Sequence, residues 1–580
     1  MFLSIGLAAV ALYLLYRWAL PKPISSIPYN AAALKSLFGD IPAMIKGTKE
    51  DHETHMDWII QQMKNLKSPI VQMFLSPLGK PTVILADFRE TQDIMLRRKE
   101  FDRSANTRDL LEDVIPDHHI YELTNSVFRT HRKLVQDVML PSFIQKVAGP
   151  RFHSNIMRLV RVWELKAKIA NGSPFLATGD IQGAVLDAVY SFAFGEYYKS
   201  STTLPNIEIL EKLNTNNTPN SDKPIDFPDV AFDELINATL DLAKAPQGVQ
   251  GSPIAKVQAK VMMNMPYFRR VRKIRDEFLR GGIRSAVSKL PSESGLSDSP
   301  PATSAVEQMV LRETLLAKAE NRSPNYLSTM MQGELFGLII GGFDTTSTST
   351  LWGLKFLTDN AGVQKRLRQA LQSSFPNAKS ENRSPTFLEL AVARIPYLEA
   401  VIEEILRCGG AARVLQRTST VDTEILGYHI PKGTDVLFLT HGPSIFNPGL
   451  KIDESKRSQT SQVAGKKKGL AWDDHDIGTF KPERWLGQKE SSTGTDATEA
   501  TEEFDGLAGP TLAFGLGTRG CFGRRLGYQQ MRTSIAILIW NFELLPCPKE
   551  LSSYRTIEKL TSTPEHSYIR LAKVDLTKAE

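Results

Sequence analysis

Residues Phe514 to Gly523 read FGLGTRGCFG and place one cysteine, Cys521, inside a glycine-rich turn. The four glycines of this run let the backbone take conformations closed to other residues and let backbone N–H groups approach the sulfur. An apolar pattern typical of a helix begins near Phe522, and a helix N-terminus stabilises a neighbouring negative charge. These features favour a deprotonated Cys521 that acts as a ligand. An inert cysteine in a glycine-rich turn is the alternative.

The same segment resembles the haem-binding signature F-x-x-G-x-R-x-C-x-G of the cytochrome P-450 family. The specified positions are Phe514, Gly517, Arg519, Cys521 and Gly523. The resemblance implies haem b with its iron ligated by Cys521, and an electron-rich thiolate suits a haem that cleaves dioxygen. It also implies that Arg519 pairs with a haem propionate and that Phe514 shields the sulfur from water.

A second motif lies inside a long apolar pattern over Tyr326–Asp359, where Gly341 opens the run GGFDTT. Each glycine inside a helix costs about 0.5–1 kcal/mol relative to alanine. Gly341 and Gly342 therefore indicate that a large group approaches the backbone, with close helix packing as the alternative. The run resembles the family's oxygen-activation motif [AG]-G-x-[DE]-T-[TS]. The resemblance implies that the Thr345 hydroxyl lies near the distal oxygen and that Asp344 relays protons.

Two separate motifs predict a buried ionic cluster. Glu404 and Arg407 form an E-x-x-R pair on one face of a helix that starts near Pro396. A surface ion pair is the usual explanation for this spacing alone. The run FKPERW contains Arg484 and resembles the family's second arginine motif, whose arginine joins the E-x-x-R pair. The resemblance implies a structural triad of Glu404, Arg407 and Arg484 around the haem.

Two further arginines are candidates for the haem propionates, with surface exposure as the alternative for each. Arg132 follows His131 in FRTHRKL, where the family usually has W-x-x-x-R. This chain has Phe128 at the tryptophan position and so lacks the indole N–H. Arg417, in QRTSTVD, matches an arginine common in the family just before the β-rich stretch.

The helix after Cys521 contains Arg524, Arg525 and Arg532. In the family that the chain resembles, this proximal face is basic and binds an acidic flavoprotein reductase, which passes on electrons from NADPH. General solvation is the alternative for any one arginine. The other cysteines, Cys408 and Cys547, lack a comparable setting and are predicted to be structural.

Composition sets broad limits on function. The chain has 580 residues, 70 basic and 64 acidic side chains and a net charge of +6, which is too small to indicate a nucleic-acid partner. The hydrophobic fraction of 42% is typical of a globular protein and excludes a mostly disordered chain. Three cysteines without a C-x-x-C motif make a disulfide framework or a structural zinc site improbable.

The amino terminus predicts membrane attachment. Phe2–Leu15 carries no charge, and with Arg17 at the interface the segment 1–20 reaches the lower length limit of a transmembrane helix. Basic residues after the apolar run leave the rest of the chain in the cytosol, as for a single-pass protein of the endoplasmic reticulum. A cleaved signal peptide is the alternative. A proline-rich connector is expected over 21–30, followed by a single haem-thiolate catalytic domain over 31–580.

Hydrophobic periodicity predicts a mainly α-helical fold with small β-sheets, which is the cytochrome P-450 fold that the resemblance implies. Val71–Leu75 and Thr82–Ala86 flank the turn SPLGK and predict a hairpin, and Glu424–Leu439 predicts a second β-rich stretch. The predicted helices are Asp87–Arg98, Asn125–Met139, Tyr326–Asp359, Gly362–Ser374, Pro396–Arg407 and Arg524–Trp540.

Polar and basic segments complete the organisation. Three segments are predicted as surface insertions that lack the apolar content to pack: Pro291–Val306, Lys451–Trp472 and Gly487–Gly509. The basic run Phe268–Arg284 predicts a helix with one solvated face; contact with anionic lipid is the alternative.

The resemblance implies an oxidoreductase, a monooxygenase that inserts one atom of dioxygen into a lipophilic small molecule. The insertions and the runs IPKGT and HGPSIFNP resemble filamentous-fungal members, for which secondary metabolism is the common setting. One alternative is a haem-thiolate isomerase or peroxygenase that does not use external dioxygen. A membrane-anchored haem sensor and an anchored cysteine hydrolase are the others.

Overall fold

The computed structural model describes residues 2–51, 54–213, 221–249, 252, 254–291, 301–465, 469–489 and 501–577. The α-helices of this part of the chain are α1 (Phe2–Ala19), α2 (Ile41–Asp51), α3 (His55–Asn65), α4 (Phe88–Arg97), α5 (Ala105–Leu111), α6 (Ser126–Val135), α7 (Pro141–Phe143), α8 (Gly149–Ala170), α9 (Thr178–Phe194), α10 (Thr203–Lys212), α11 (Glu234–Lys244), α12 (Ala255–Asn264), α13 (Pro266–Ser288), α14 (Ala305–Ala319), α15 (Thr329–Asp359), α16 (Ala361–Ser374), α17 (Pro376–Ser380), α18 (Phe387–Val392), α19 (Pro396–Gly409), α20 (Gln459–Ala464) and α21 (Arg524–Asn541).

The β-strands are short and belong to small sheets. They are β1 (Ile70–Met73), β2 (Thr82–Leu85), β3 (Phe101–Asp102), β4 (Phe175–Leu176), β5 (Val414–Ser419), β6 (Thr423–Ile425), β7 (Tyr428–Ile430), β8 (Asp435–Leu439), β9 (Leu486–Lys489), β10 (Thr501–Phe504), β11 (Phe542–Leu545), β12 (Thr556–Glu558), β13 (Ser562–Pro564) and β14 (Tyr568–Lys573). The mainly helical fold with small sheets is confirmed.

The central element is α15, a helix of 31 residues whose side chains are mostly buried. It packs against α9, α19 and α21, and apolar residues of all four helices belong to one hydrophobic core. Ser328 caps α15 by accepting a hydrogen bond from the N–H of Met331, so the helix begins three residues after the predicted Tyr326.

A five-stranded sheet with the order β1-β2-β8-β5-β3 packs beside this helical core. β2 and β8 run parallel, and the other neighbours in the sheet are antiparallel. The predicted hairpin is confirmed as β1 and β2, with Ile70 opposite Leu85. The predicted β-rich stretch is confirmed as β6, β7 and β8.

The predicted helices are confirmed with small shifts at their ends. Asp87 and Asn125 are not helical but cap α4 and α6 with their side chains. The last predicted turn of the second helix, Gln136–Met139, is a 3₁₀ turn. The helix expected to start near Phe522 begins at Arg524, with Gly523 as its N-cap residue.

The predicted transmembrane segment over residues 1–20 is not supported. In the part of the chain that the structure describes, no helix combines the length and the hydropathy needed to cross a bilayer. The segment forms α1, which has 18 residues and contains the charged Arg17 in its last turn.

The predicted connector over residues 21–30 does more than link two parts of the chain. Ile27 is buried in a hydrophobic cluster with residues of the five-stranded sheet. The Gln72 amide in β1 donates to the carbonyl oxygens of Ile24 and Ile27 at 2.8 and 2.7 Å. This segment therefore packs onto the sheet.

The description of Lys451–Trp472 as an insertion that does not pack is wrong. Within it, α20 packs against α4, and Ser461 is buried. Arg457 contacts Asp87 at 2.6 Å and is almost buried. Ion pairing and small buried side chains thus replace the apolar content on which the prediction relied. Within the other two insertions, residues 292–300 and 490–500 lie outside the described residues.

The basic run Phe268–Arg284 lies in α13. Its apolar stripe is confirmed, because Val271 is buried and Phe268 packs against the main core. Arg269 and Arg270 are exposed. Arg275 differs from the other basic side chains of the run, since it is buried and donates to the carbonyl oxygen of Val114 at 2.7 Å.

Candidate active site

Cys521 lies in the turn that leads into α21. Its N–H donates to the carbonyl oxygen of Phe514 at 2.7 Å, which closes the loop under the sulfur. Gly517 has a φ of +68°, and a Cβ on it would lie 2.3 Å from the carbonyl oxygen of Met95, so a side chain is excluded there. The Cys521 side chain is open to a water-sized molecule.

Several effects shift the pKa of the Cys521 thiol in opposite directions. Although Cys521 is exposed, desolvation by the protein atoms around its sulfur raises the pKa of the thiol, while a hydrogen bond from the Gly523 N–H and the charges of Arg132 and Arg524 lower it. A bound iron would add the strongest local positive charge and favour the thiolate. The protein alone thus favours the neutral thiol, and ligation of a metal would favour the thiolate.

Four arginines converge on one side of this loop: Arg103, Arg132, Arg417 and Arg519. Burial, together with repulsion from Arg417 and Arg519, lowers the pKa of Arg103 well below its ordinary value. Burial also lowers the pKa of Arg417 to about 10. Buried guanidinium groups that repel one another are costly unless anions compensate them.

Unsatisfied donors point to the same conclusion. Arg519 donates from Nη2 to the carbonyl oxygen of Glu122 at 2.7 Å, but its Nε and Nη1 are buried without a partner in the described part of the chain. The Nε of Arg103 is in the same situation. Because buried N–H groups are nearly always hydrogen-bonded, these donors fit the carboxylates of haem propionates.

Two arginines outside the cysteine motif, Arg132 and Arg417, were predicted to contact the haem propionates. Arg417 lies within β5, opposite Val436 of β8, and is buried. Arg132 lies on α6, with its guanidinium carbon 3.8 Å from the centroid of the Phe522 ring. Neither arginine is a simple surface residue. Phe128 is buried and packs beneath Arg519 at 4.3 Å.

The oxygen-activation motif lies in the middle of α15. Gly341 and Thr345 are exposed although most of the helix is buried, and a Cβ on Gly341 would meet nothing within 4 Å. A Cβ on Gly342 would lie 3.3 Å from Val189 of α9. One glycine therefore faces open space and the other allows close helix packing, so both explanations of the pair apply.

Asp344 has a partner that the motif did not predict. Its Oδ2 accepts a hydrogen bond of 2.7 Å from the hydroxyl of Thr561, in the turn between β12 and β13. Burial raises the pKa of Asp344, although Thr561 and the charge of Lys559 lower it. The Thr345 hydroxyl donates to the carbonyl oxygen of Gly341 at 2.7 Å. A carboxyl group with a raised pKa is suited to holding and passing a proton.

The predicted triad is brought together. Arg407 donates to both oxygens of Glu404, at 2.8 and 2.7 Å, and Arg484 donates to Glu404 at 3.1 Å. Glu404 and Arg407 are buried. The indole N–H of Trp485 adds a fourth contact, to Glu404 at 2.9 Å.

The prediction that Arg532 belongs to the basic surface is wrong. Arg532 is buried and donates to Glu399 at 2.7 Å and to the carbonyl oxygens of Leu390 and Ala393. It is therefore unable to take part in a basic docking surface. The reason is helical phase, since α21 turns this position into the core. Arg524 and Arg525, in the first turn, are exposed.

Sequence reasoning missed Arg103, Thr561 and a group of histidines around Glu334. Arg103 follows a two-residue strand and belongs to no motif, so no local signal marks it. His118, His119 and Glu334 have donor atoms within 4.8 Å of one another, and His131 contacts Glu334 at 2.6 Å. These residues come from three separate segments.

A cysteine just before a helix, with buried arginine N–H groups beside it that have no partner among the described residues, fits a haem-thiolate site. The Cytochrome P450 family model matches residues 38–443 and 477–569, so the chain belongs to the cytochrome P450 family. As a member it is an oxidoreductase of the monooxygenase class that uses haem ligated by a cysteine thiolate, with electrons supplied by a reductase.

Relatives in filamentous fungi match almost the whole chain. Cytochrome P450 monooxygenase TRI13 of Fusarium sporotrichioides is 81% identical over 587 residues, covering 100% of both chains. Cytochrome P450 monooxygenase GME11363 of Pestalotiopsis microspora is 34% identical over 575 residues, covering 98% of each. Cytochrome P450 monooxygenase xilC of Penicillium crustosum is 32% identical over 566 residues, covering 97% of this chain and 94% of the relative.

Proposed function

We propose that this enzyme inserts one atom of dioxygen into a lipophilic small molecule in a fungal secondary-metabolite pathway. The second oxygen atom leaves as water, with two electrons from NADPH through a flavoprotein reductase and two protons from solvent. The observation that carries this proposal is the placement of Asp344 and Thr345 on α15, where Gly341 leaves open space beside them.

Each residue has a proposed task at a stated atom. Haem, when bound, supplies the oxidising chemistry. Cys521 would ligate the haem iron, and Arg132, Arg417 and Arg519 would offer N–H groups to the propionates. The Thr345 hydroxyl, released from the Gly341 carbonyl oxygen, donates a hydrogen bond into the open space. Asp344 holds a proton at Oδ1 or Oδ2 and replenishes the hydroxyl through water, with Thr561 fixing its orientation.

Electron delivery is proposed to use the exposed first turn of α21. Arg524 and Arg525 follow Cys521 directly, and both are exposed. A basic patch this close to the sulfur suits an acidic reductase surface, because complementary charges steer association.

Membrane attachment is proposed to use α1 and α12. Exposed apolar side chains on α1 include Leu7 and Leu12, which are 66% and 67% exposed. On α12, Val257 and Val261 are both 58% exposed, and Lys256 and Lys260 lie beside them. Apolar side chains next to lysines suit the surface of an anionic lipid bilayer. We propose the cytosolic face of the endoplasmic reticulum.

Oxygen labelling tests the central proposal. The purified holoenzyme, with a reductase and NADPH, is incubated under ¹⁸O₂ with extracts of lipophilic fungal metabolites, and products are analysed by mass spectrometry. We expect one labelled oxygen atom in the product, formed only with NADPH. A product without label, formed without NADPH, would instead identify an isomerase or peroxygenase. Thiolate-ligated haem without any substrate-dependent NADPH consumption would favour the sensor.

A further inference from the structure

Two segments of the chain bring histidines onto one buried carboxylate of a third. Glu334, on α15, is buried and contacts His119 Nδ1 at 2.7 Å and His131 Nδ1 at 2.6 Å. The N–H of His119 also donates to Glu334, at 2.9 Å. The other ring nitrogen of His119, Nε2, lies 3.4 Å from Nη1 of Arg132.

Donor and acceptor rules fix the proton on the ring of His119. An ionised carboxylate only accepts hydrogen bonds and a guanidinium only donates them. With Glu334 at Nδ1 and Arg132 at Nε2, the ring carries its proton on Nδ1 and presents a lone pair to the arginine. Burial alone would raise the pKa of Glu334, but the surrounding histidines lower it and keep it ionised.

Arg132 lies beside the cysteine turn, so its contact with His119 bears on the proposed haem site. Its guanidinium carbon is 3.8 Å from the centroid of the Phe522 ring, which follows Cys521 in the chain. The His119 ring meets the same phenyl ring at an angle of 77°, with 5.9 Å between the ring centroids.

Among the described residues, Arg132 has two hydrogen-bond partners, His119 and the carbonyl oxygen of Thr518, each at 3.4 Å. Its guanidinium carbon also lies 5.3 Å from the centroid of the Phe128 ring. His119 is therefore the one side chain that offers Arg132 a hydrogen-bond acceptor in the described part of the chain.

The residues behind His119 make it rigid. His131 contacts Asp117 through Nε2 at 3.3 Å, so both of its ring nitrogens face carboxylates. His131 is therefore an imidazolium, and its charge stabilises the ionised Glu334. A Cβ on Gly333 would lie 2.0 Å from the carbonyl oxygen of Pro116, which shows how closely the segment before His119 packs on α15.

We propose that His119 is a positioning residue for Arg132 and that Glu334 orients its ring for this task. This inference rests on the proposed function, in which Arg132 contacts a haem propionate. Coordination of a metal ion by the cluster is the competing explanation. The 2.7 Å between His119 Nδ1 and Glu334 is a hydrogen-bond distance, shorter than the roughly 3.3 Å between two ligands of a tetrahedral zinc.

Two amide substitutions separate the two ends of the ring. In His119→Gln the side-chain oxygen takes the place of Nε2 and still accepts from Arg132. In His119→Asn the side-chain NH₂ takes the place of Nδ1 and still donates to Glu334, but nothing faces Arg132. Haem loss from each holoenzyme is followed as transfer to an excess of a haem-binding apoprotein.

We expect His119→Asn to lose haem about tenfold faster than the wild type and His119→Gln to stay within about twofold. In an Arg132→Met background, His119→Asn is expected to cause no further acceleration. His475→Asn, at an exposed position, is the matched control and is expected to behave as the wild type. Urea unfolding of both His119 variants verifies that they are folded.

Other outcomes would overturn the inference. If His119→Asn retains haem and His119→Gln loses it, the residue only fastens the loop to Glu334. Additive effects of His119→Asn and Arg132→Met would show that the two act independently. One equivalent of zinc in the purified holoenzyme, lost in His119→Asn, would identify a metal site. A wild-type chain without thiolate-ligated haem would overturn the proposed function as well, whereas the first three results leave it standing.

Discussion

Replacement of Arg407 by alanine tests whether the ionic triad is essential to the haem-binding fold. The guanidinium of Arg407 is fully buried and contacts both oxygens of Glu404. It also donates at 2.7 Å to the carbonyl oxygens of Ile445 and Ile477, and at 3.0 Å to that of Thr479. One side chain thus joins α19 to two loops that precede the cysteine turn.

The loss of stability in Arg407→Ala follows from the contacts that Glu404 would keep. Removing one partner of a buried ion pair costs about 3–5 kcal/mol. Glu404 would keep Arg484 at 3.1 Å and the indole of Trp485 at 2.9 Å, which places the charge term at the lower end of that range. The carbonyl oxygens that lose their donors add to it. Because a domain is stable by only about 5–15 kcal/mol, we expect most of the Arg407→Ala protein to accumulate without haem.

The assay combines two measurements on purified protein. The carbon monoxide difference spectrum of the reduced sample gives the amount of thiolate-ligated haem per chain, and urea unfolding gives the stability of any folded fraction. The matched control is Arg383→Ala, which removes another bidentate arginine, 2.8 and 2.9 Å from Glu389, at the surface. Both readouts are expected to stay near wild type in this control, because solvent replaces the lost contacts.

A double variant separates the effect of the unpaired Glu404 charge from the effect of the lost packing. In Glu404→Gln/Arg407→Ala the side chain at position 404 is neutral, and Arg484 keeps its ion pair with Asp476 at 3.0 Å. The double variant should therefore hold more haem and unfold at higher urea than Arg407→Ala alone. The reasoning is refuted if Arg407→Ala carries a full complement of haem. It is also refuted if the double variant is no more stable than Arg407→Ala, since the buried charge of Glu404 would then not be the cause.

Further predictions concern the proton path, the propionate side and the reductase surface. Asp344→Asn should match or exceed the wild type in stability at pH 7. The pKa of this buried acid is raised in the folded protein, so ionising it costs stability as the pH rises. The urea midpoints of the two proteins should therefore converge toward pH 4, and in the variant a smaller fraction of the NADPH consumed should appear as product. Thr561→Val removes a hydrogen bond that lowers the pKa of Asp344, so the pH dependence of product yield per NADPH should move to higher pH, and an unchanged profile would contradict the assigned contact. Arg417→Met should bind haem more weakly in titrations yet give a more stable apoprotein, because it relieves the repulsion with Arg103. Arg525→Glu should raise the reductase concentration needed for half-maximal turnover, and more so at low salt, with haem content unchanged.

The part of the site that could be predicted from sequence consists of residues in short motifs. Cys521 and its glycines lie within ten consecutive positions, and the turn conformation imposes glycine at Gly517 for a local reason that the motif records. The same holds for Asp344 and Thr345, which share one helix. The six helices and the hairpin predicted from hydrophobic periodicity lie within a few residues of their observed bounds, because this periodicity is also local. Some of their ends shifted where a side chain such as Asp87 caps from outside the helix. The long helices α8 and α9 were not predicted.

Contacts between distant segments had no such signal. Thr561 lies 217 residues from Asp344, and His119 lies 215 residues from Glu334. A threonine in a turn and a histidine in a loop have many ordinary uses, so only the fold reveals their partners. The amphipathic phase of α21 explains the error at Arg532, because a long arginine can donate to backbone carbonyl oxygens from inside a helix interface.

Both missed residues act on a motif residue rather than in place of it. The motifs contain the groups that the proposed function assigns to haem and oxygen, whereas Thr561 and His119 contact two of those groups, Asp344 and Arg132. A supporting residue in a distant segment stands at no fixed spacing from the group that it contacts, so no short motif records it. Such partners nevertheless tune the group that they orient. Haem retention and the coupling of NADPH consumption to product therefore depend on residues that no motif contains.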